Sequence, residues 1–153
     1  MSAICLIDTS IFVEILNVPN MASTRREVMK ELEAKIEHEE SLFLPMATII
    51  ETGNHIARNG DGQQRRRCAE RFVEQVDKAL KGESPFKPVT FLSQEQLRSW
   101  LSEFPDSAMR GTGLGDLSII HDFRRVCSRN LSRKVYIWSL DGHLQSYQRD
   151  SRV

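Results

Sequence analysis

The chain has 153 residues, of which 40% are hydrophobic and 27% charged, and its 21 Lys and Arg balance its 21 Asp and Glu. That length suits one domain with a core on both sides of a sheet. The composition is that of a globular protein, and the charge balance excludes a chain that is basic throughout, so any nucleic-acid surface must be local. Cys5, Cys68 and Cys127 are odd in number and lack CxxC spacing, which excludes a disulfide framework or a zinc cluster. They read as buried small residues in a reducing compartment, and the expected location is the cytoplasm.

The elements follow in chain order. Ile4 to Ile7 is a continuous apolar run, as in a parallel strand buried on both faces. It meets Asp8 too soon to be a signal peptide or a membrane span. Asp8, Thr9 and Ser10 offer capping side chains to a helix with Ile11, Phe12, Ile15 and Leu16 on its apolar face, broken at Pro19-Asn20. Val28, Leu32 and Ile36, with Met29, predict an amphipathic helix over 23–40 whose mixed charges form a solvated face. A second strand spans 42–44. Pro45 then opens a helix that carries Ile49, Ile50 and Ile56 inward and Glu51 in its middle.

Asp61 caps the next helix, in which Cys68, Phe72 and Val76 repeat every turn, joined by Ala69, Val73 and Leu80, and Gly82 ends it. Pro85 and Pro88 bracket a linker into a weak strand over 89–92. Ser93 with Gln96 predicts a capping box for a helix holding Leu97, Trp100, Leu101 and Phe104. Asp106, in Pro-Asp-Ser, reads as a turn residue. A loop punctuated by Gly111, Gly113 and Gly115 leads into a helix bearing Leu117, Ile120, Phe123 and Cys127. The last strand covers 135–140, and Asp141 begins a short final helix.

Strands alternating with helices predict an α/β fold, a three-layer α/β/α sandwich with a mostly parallel central sheet. Ligands in such folds sit beyond the carboxyl ends of the strands. Asp8 and Asp141 fall there, directly after their strands, and Asp116 lies in the first turn of its helix. Glu51 is about two turns into a helix that follows a strand, with a longer arm to reach a shared centre. A carboxylate at the end of an apolar run is costly unless it is paired or faces a cleft. Four of them from four segments suggest one oxygen-ligand site for a hard divalent cation.

Other candidates carry less chemistry. His38 and His55 read as surface residues, and no serine forms a nucleophile set with a histidine; His143 could assist Asp141. Asp122 is six residues past Asp116, about 240° around the helix, and is expected to face elsewhere. The glycine loop lacks the Lys-Ser/Thr of a phosphate-binding loop. Arg65, Arg66 and Arg67, with Arg124 and Arg125, are short basic runs that could track a phosphate backbone or simply be solvated. A phosphatase of the HAD-like class would want Asp at position 10, which is Ser10.

LIDTSIFVEIL, IIETGNHIA, GDLSII and VYIWSLDGHL, in that order over the whole chain, resemble the PIN-domain nucleases, and in particular the VapC-like toxins of bacterial toxin–antitoxin pairs. The resemblance implies a PIN-like fold over 1–153, with a helical insertion around 19–82 relative to a minimal toxin. It implies that Asp8, Glu51, Asp116 and Asp141 are catalytic and bind Mg²⁺ or Mn²⁺, with Thr9, Ser10, Asn54 and Ser139 supporting them. The implied activity is hydrolysis of RNA phosphodiester bonds. An antitoxin protein and a second copy of the chain are the implied partners, and a membrane is not. A housekeeping or regulatory PIN ribonuclease is the alternative, as is a silent PIN-like interaction module, against which the presence of all four acids argues.

Overall fold

The computed structural model describes residues 1–90 and 92–152; Phe91, within the strand expected over 89–92, lies outside the described residues. Five strands, β1 (Ile4–Ile7), β2 (Ser41–Leu44), β3 (Phe86–Pro88), β4 (Val135–Trp138) and β5 (Gln148–Arg149), form one sheet in the order β3-β2-β1-β4-β5. β1 pairs in parallel with β2 and β4, and β2 with β3, while β5 runs antiparallel at the β4 edge. The expected α/β architecture with a mostly parallel sheet is what the chain adopts.

β1 is central because its sequence has no polar side to offer. Ile4 and Leu6 pack with Ile119, Ile120, Phe123, Ile137 and Leu144 on one face. Cys5 and Ile7 join Ile11, Phe12, Val28, Leu32 and Cys68 on the other. Alternate residues of a strand point to opposite faces, so a run buried on both sides must be apolar throughout. The second face is covered by α1 (Thr9–Ile15), α2 (Arg25–Glu37), α3 (Met46–Ile56) and α4 (Gly62–Leu80). The first is covered by α6 (Leu114–Arg129) and α7 (Gly142–Gln145), with α5 (Gln94–Met109) packed on α6. Each parallel step is made by a helix pair, so α2 and α4 complete the first two crossovers.

Local signals explain several boundaries. Asp61 with Gln64, and Ser93 with Gln96, form reciprocal capping boxes that open α4 and α5. Gly82 takes φ 75 just past the end of α4, a left-handed conformation that favours glycine. Burial pushes the Cys5 thiol up to about 12, well above the reactive range. Cys68 is also buried. Among the described residues no helix is long and apolar enough to cross a membrane.

The structure departs from the sequence reading in places. β3 begins three residues earlier than expected and includes Pro88, which pairs with Leu44. A proline is tolerated there because β3 is an edge strand whose outer side needs no ladder bond. α5 continues through Pro105, so Asp106 is a helical residue; the Arg110 N–H still reaches the carbonyls of Asp106 and Ser107 and closes the helix. α6 starts at Leu114 with Gly113 as its N-cap, which shortens the glycine loop. β4 ends at Trp138, leaving Leu140 outside the strand and exposed. Ile36, Ile50, Val73 and Leu80, expected inward, are exposed, and Cys127 is half-buried. Their helices carry apolar residues over an arc wider than the face that packs. β5 has no apolar signal at all; the Arg149 guanidinium fixes it by donating to the carbonyls of Cys127, Asn130 and Arg133, each at 2.6 Å.

Two buried polar residues position the helices that matter most. Glu14, 3% exposed, accepts from the backbone and hydroxyl of Thr24 and fastens α1 to the start of α2. Thr48, one turn before Glu51, is buried and donates to the Ile7 carbonyl at 2.7 Å, which ties α3 to the end of β1. Thr48→Val keeps the shape and removes the donor. The expected loss is about 1 kcal/mol, or a fall of about 3 °C in thermal midpoint. An unchanged midpoint would show that this bond does not hold α3 to the sheet.

Candidate functional site

Asp8 leaves β1 in an extended conformation (φ −79, ψ 160) and stands at the N-cap of α1, yet its side chain caps nothing. Its Oδ2 instead accepts from Ser10 Oγ at 2.9 Å and from Ser139 Oγ at 2.8 Å. Each hydroxyl also accepts a backbone N–H, Ser10 from Leu140 and Ser139 from Asp141, both at 2.9 Å. A hydroxyl has one proton to give. With both protons committed to Asp8, the 3.2 Å approach of Ser10 to Ser139 is proximity rather than a further bond. The result orients a nearly buried carboxylate, 8% exposed, through neutral donors that leave its charge in place.

Glu51 reaches the same region from α3. Thr9 Oγ1 donates to its Oε2 at 3.0 Å, and its Oε1 lies so close over Gly115 that a Cβ at that position would overlap it. Gly115 is therefore required for space rather than for a flexible entry to α6. The Glu51 carboxylate sits on the first turn of α6, where the helix dipole favours negative charge, over the residue that precedes Asp116.

Asp116 is the point where the four acids meet electrostatically. Burial pushes its carboxyl above the ordinary range; the negative fields of Asp8, Asp141 and Glu51 push it further, while the imidazole of His143 opposes them. Asp141 is exposed, caps α7 and accepts from the His143 N–H at 2.9 Å. α7 is only one turn long and is anchored by Leu144, which is fully buried.

The donor set is all hard oxygen, carboxylates backed by hydroxyls, and suits Mg²⁺ or Mn²⁺ in chemistry. The spacing is looser: among the described residues no three His, Cys, Asp or Glu side chains are gathered as a group that could hold a metal ion. The acids share a field without being drawn to ligating distance of one centre.

The remaining expected residues are scattered. Asn54 is exposed on α3, past Glu51. Arg65 donates to the Gly60 carbonyl, Arg66 pairs with Glu70 on the surface of α4, and Arg67 is exposed. Arg124 lies 3.6 Å from Glu103, and Arg125 turns inward to Asp122 and to the Thr90 carbonyl.

Sequence reading passed over a hollow that begins at Glu51 and Gly115. Its volume is about 470 Å³, and Trp100, Ser118 and Asp122 help to line it. Asp122, 3% exposed, pairs with Arg125 and lines this same hollow with Glu51. Its signal was the Arg125 three residues on, a spacing that places opposite charges side by side on a helix. The Nε1–H of Trp100 is buried without an acceptor among the described residues.

No protein-family model matches the chain, and neither does any curated protein or solved structure.

The electrostatics have a pH signature. A carboxyl whose folded-state pKa is raised makes the folded state less stable as pH rises from the unfolded value, here 3.8, through the folded one. Asp116→Asn removes that cost. The metal-free variant is expected to melt above the parent at pH 7, and the gain should shrink as pH falls and vanish below 3.8. Equal midpoints at pH 7 would mean that neither burial nor the other acids raise the Asp116 carboxyl.

Proposed function

We propose that this chain is a divalent-metal-dependent endoribonuclease of the PIN-domain kind, hydrolysing RNA phosphodiester bonds. The observation that carries the reading is the placement of acids from four segments at one edge of the sheet, Asp8 held by Ser10 and Ser139, Glu51 held by Thr9 over Gly115, and Asp116 raised by burial and by the fields of Asp8, Asp141 and Glu51. Proteins seldom keep like charges together without a counter-charge, and a hard cation is the counter-charge that this oxygen set selects.

Asp8, Glu51, Asp116 and Asp141 would hold Mg²⁺ or Mn²⁺. Bound there, the ion supplies Lewis-acid chemistry to a phosphodiester and offsets the charge of its oxygens. The chain's own residues do the positioning. Ser10 and Ser139 fix the direction of Asp8, Thr9 fixes Glu51, and the missing side chain at Gly115 lets Glu51 lie over α6. His143, whose backbone already holds Asp141, places an imidazole near Asp116.

The expected test is cleavage of single-stranded RNA with Mn²⁺, silenced by a chelator. Asp8→Asn should lower the rate by more than about a hundredfold, and Gly115→Ala, which displaces Glu51, by about a hundredfold. Both variants should remain folded, since the first removes a charge and the second collides with a side-chain tip. Full activity in Asp8→Asn would remove the site from the chemistry.

The toxin role follows from the resemblance. An acidic cleft on a chain of zero net charge attracts a cationic side chain from a small partner, because the local field outweighs the total. On α2, Met29 and the exposed Ile36 lie in a hollow lined mainly by charged residues, Arg25, Arg26, Lys30, Glu33 and Glu37, a mixed surface that would be open to that partner or to a second copy. The protein would then act in the cytoplasm. Expression of the chain alone should slow growth, and Asp8→Asn should restore it. A freely growing culture that yields active nuclease would point to a housekeeping ribonuclease instead.

A further inference from the structure

The hollow beside the acids has a character unlike theirs. Met46 and Ile50 of α3, Val89 after β3, Trp100 of α5 and Leu114 of α6 give it apolar walls. Ile50 is 56% exposed and Leu114 40%, two large aliphatics left facing water next to a charged centre. Polar groups are few and placed at intervals: Thr90, Ser118 and Asp122. A volume of about 470 Å³ falls within the roughly 300–1,000 Å³ of small-ligand sites. Val89 and Thr90 are shared with a second, smaller hollow of about 150 Å³ that carries Arg125 and Arg129. Carboxylates, apolar slot and arginines thus follow one another across the surface.

We propose that the slot between α3, α5 and α6 is a subsite for one unstacked nucleobase of single-stranded RNA, next to the scissile phosphate, with Arg129 serving a neighbouring phosphate. The inference rests on the nuclease reading and adds the form of its substrate. A nucleobase has flat apolar faces and a hydrogen-bonding edge, so it fits a slot with aliphatic and indole walls and a few polar groups. A plain phosphate track would present cations where Ile50, Trp100 and Leu114 stand. A partner helix would want an unbroken apolar stripe, and Glu51, Ser118 and Asp122 interrupt this one. Trp100, though mostly buried, lines the slot and lends it part of an indole wall. In a duplex the base faces are stacked and the edges paired, so the slot selects single strands.

The test follows tryptophan emission in the Asp8→Asn chain with Mg²⁺, titrated with a short single-stranded oligoribonucleotide or with its duplex. Single strands should quench the emission and the duplex should not. Trp138 is buried in the opposite layer, so the quench should survive Trp138→Phe and vanish in Trp100→Phe. Ile50→Gln and Leu114→Gln, at exposed positions, should weaken single-strand binding about tenfold with unchanged thermal midpoints. Single-strand binding without a Trp100 quench, or unaffected by both Gln substitutions, overturns the subsite while RNA cleavage by the unmodified chain keeps the nuclease reading. If the Gln variants shift sedimentation from dimer to monomer and leave RNA affinity alone, a second copy covers the slot and the proposal fails. A Trp100 quench with no cleavage by the unmodified chain keeps the base-binding slot and overturns the nuclease reading. Absence of RNA binding by the Asp8→Asn chain overturns the subsite, and cleavage by the unmodified chain then decides the nuclease reading alone.

Discussion

The placement of four carboxylates at one edge of a parallel sheet, around a partly buried Asp116, is the constraint on which the other features depend. Asp8 and Glu51 are oriented by the hydroxyls of Ser10, Ser139 and Thr9 rather than by a lysine or arginine. An arginine would hold them as firmly but would cancel the charge. Hydroxyls fix direction and leave the negative potential intact, and the Asp116 carboxyl is raised by its own burial first and by the other acids second. The surrounding core fixes these positions: β1 is buried to its last residue, Thr48 ties α3 to it, and Leu144 anchors the single turn behind Asp141. The proposed nuclease reading takes this arrangement as one that a cation would relieve.

The slot beside the acids is of a different character, apolar along the wall from Ile50 to Trp100. On the proposed reading the acids would meet a phosphodiester and this wall the face of a base. Arg125, which lines the neighbouring hollow, is committed to Asp122 and so is not free to meet a phosphate directly. Arg129, in the neighbouring hollow, is exposed.

Much of the fold was legible because strong local rules agreed with the tertiary structure. The all-apolar ICLI run had to be a strand buried on both faces, and the Asp61 and Ser93 caps fixed two helix starts. Pro88 and Pro105 misled because a proline signals a break only where its missing N–H is needed; an edge strand and an established helix absorbed them. β5 was invisible because an arginine side chain, not an apolar pattern, holds it. Asp8 and Asp141 were placed by their strands and Asp116 by its helix start. What could not be read was the contact between segments: that Ser10 and Ser139 share one oxygen of Asp8, and that Gly115 serves Glu51. The slot was hidden for the same reason, since its walls join α3 to the α5–α6 pair some forty residues further on.

The central claim is that these acids bind a divalent ion, and calorimetric titration of Mn²⁺ into the full metal-free chain at neutral pH tests it most directly. The account predicts saturable binding that is lost in Asp8→Asn, together with a higher thermal midpoint for the loaded protein, since an ion that binds only the folded state stabilises it by mass action. A folded chain that takes up no Mn²⁺, or that binds it equally well without the Asp8 carboxylate, would contradict the account.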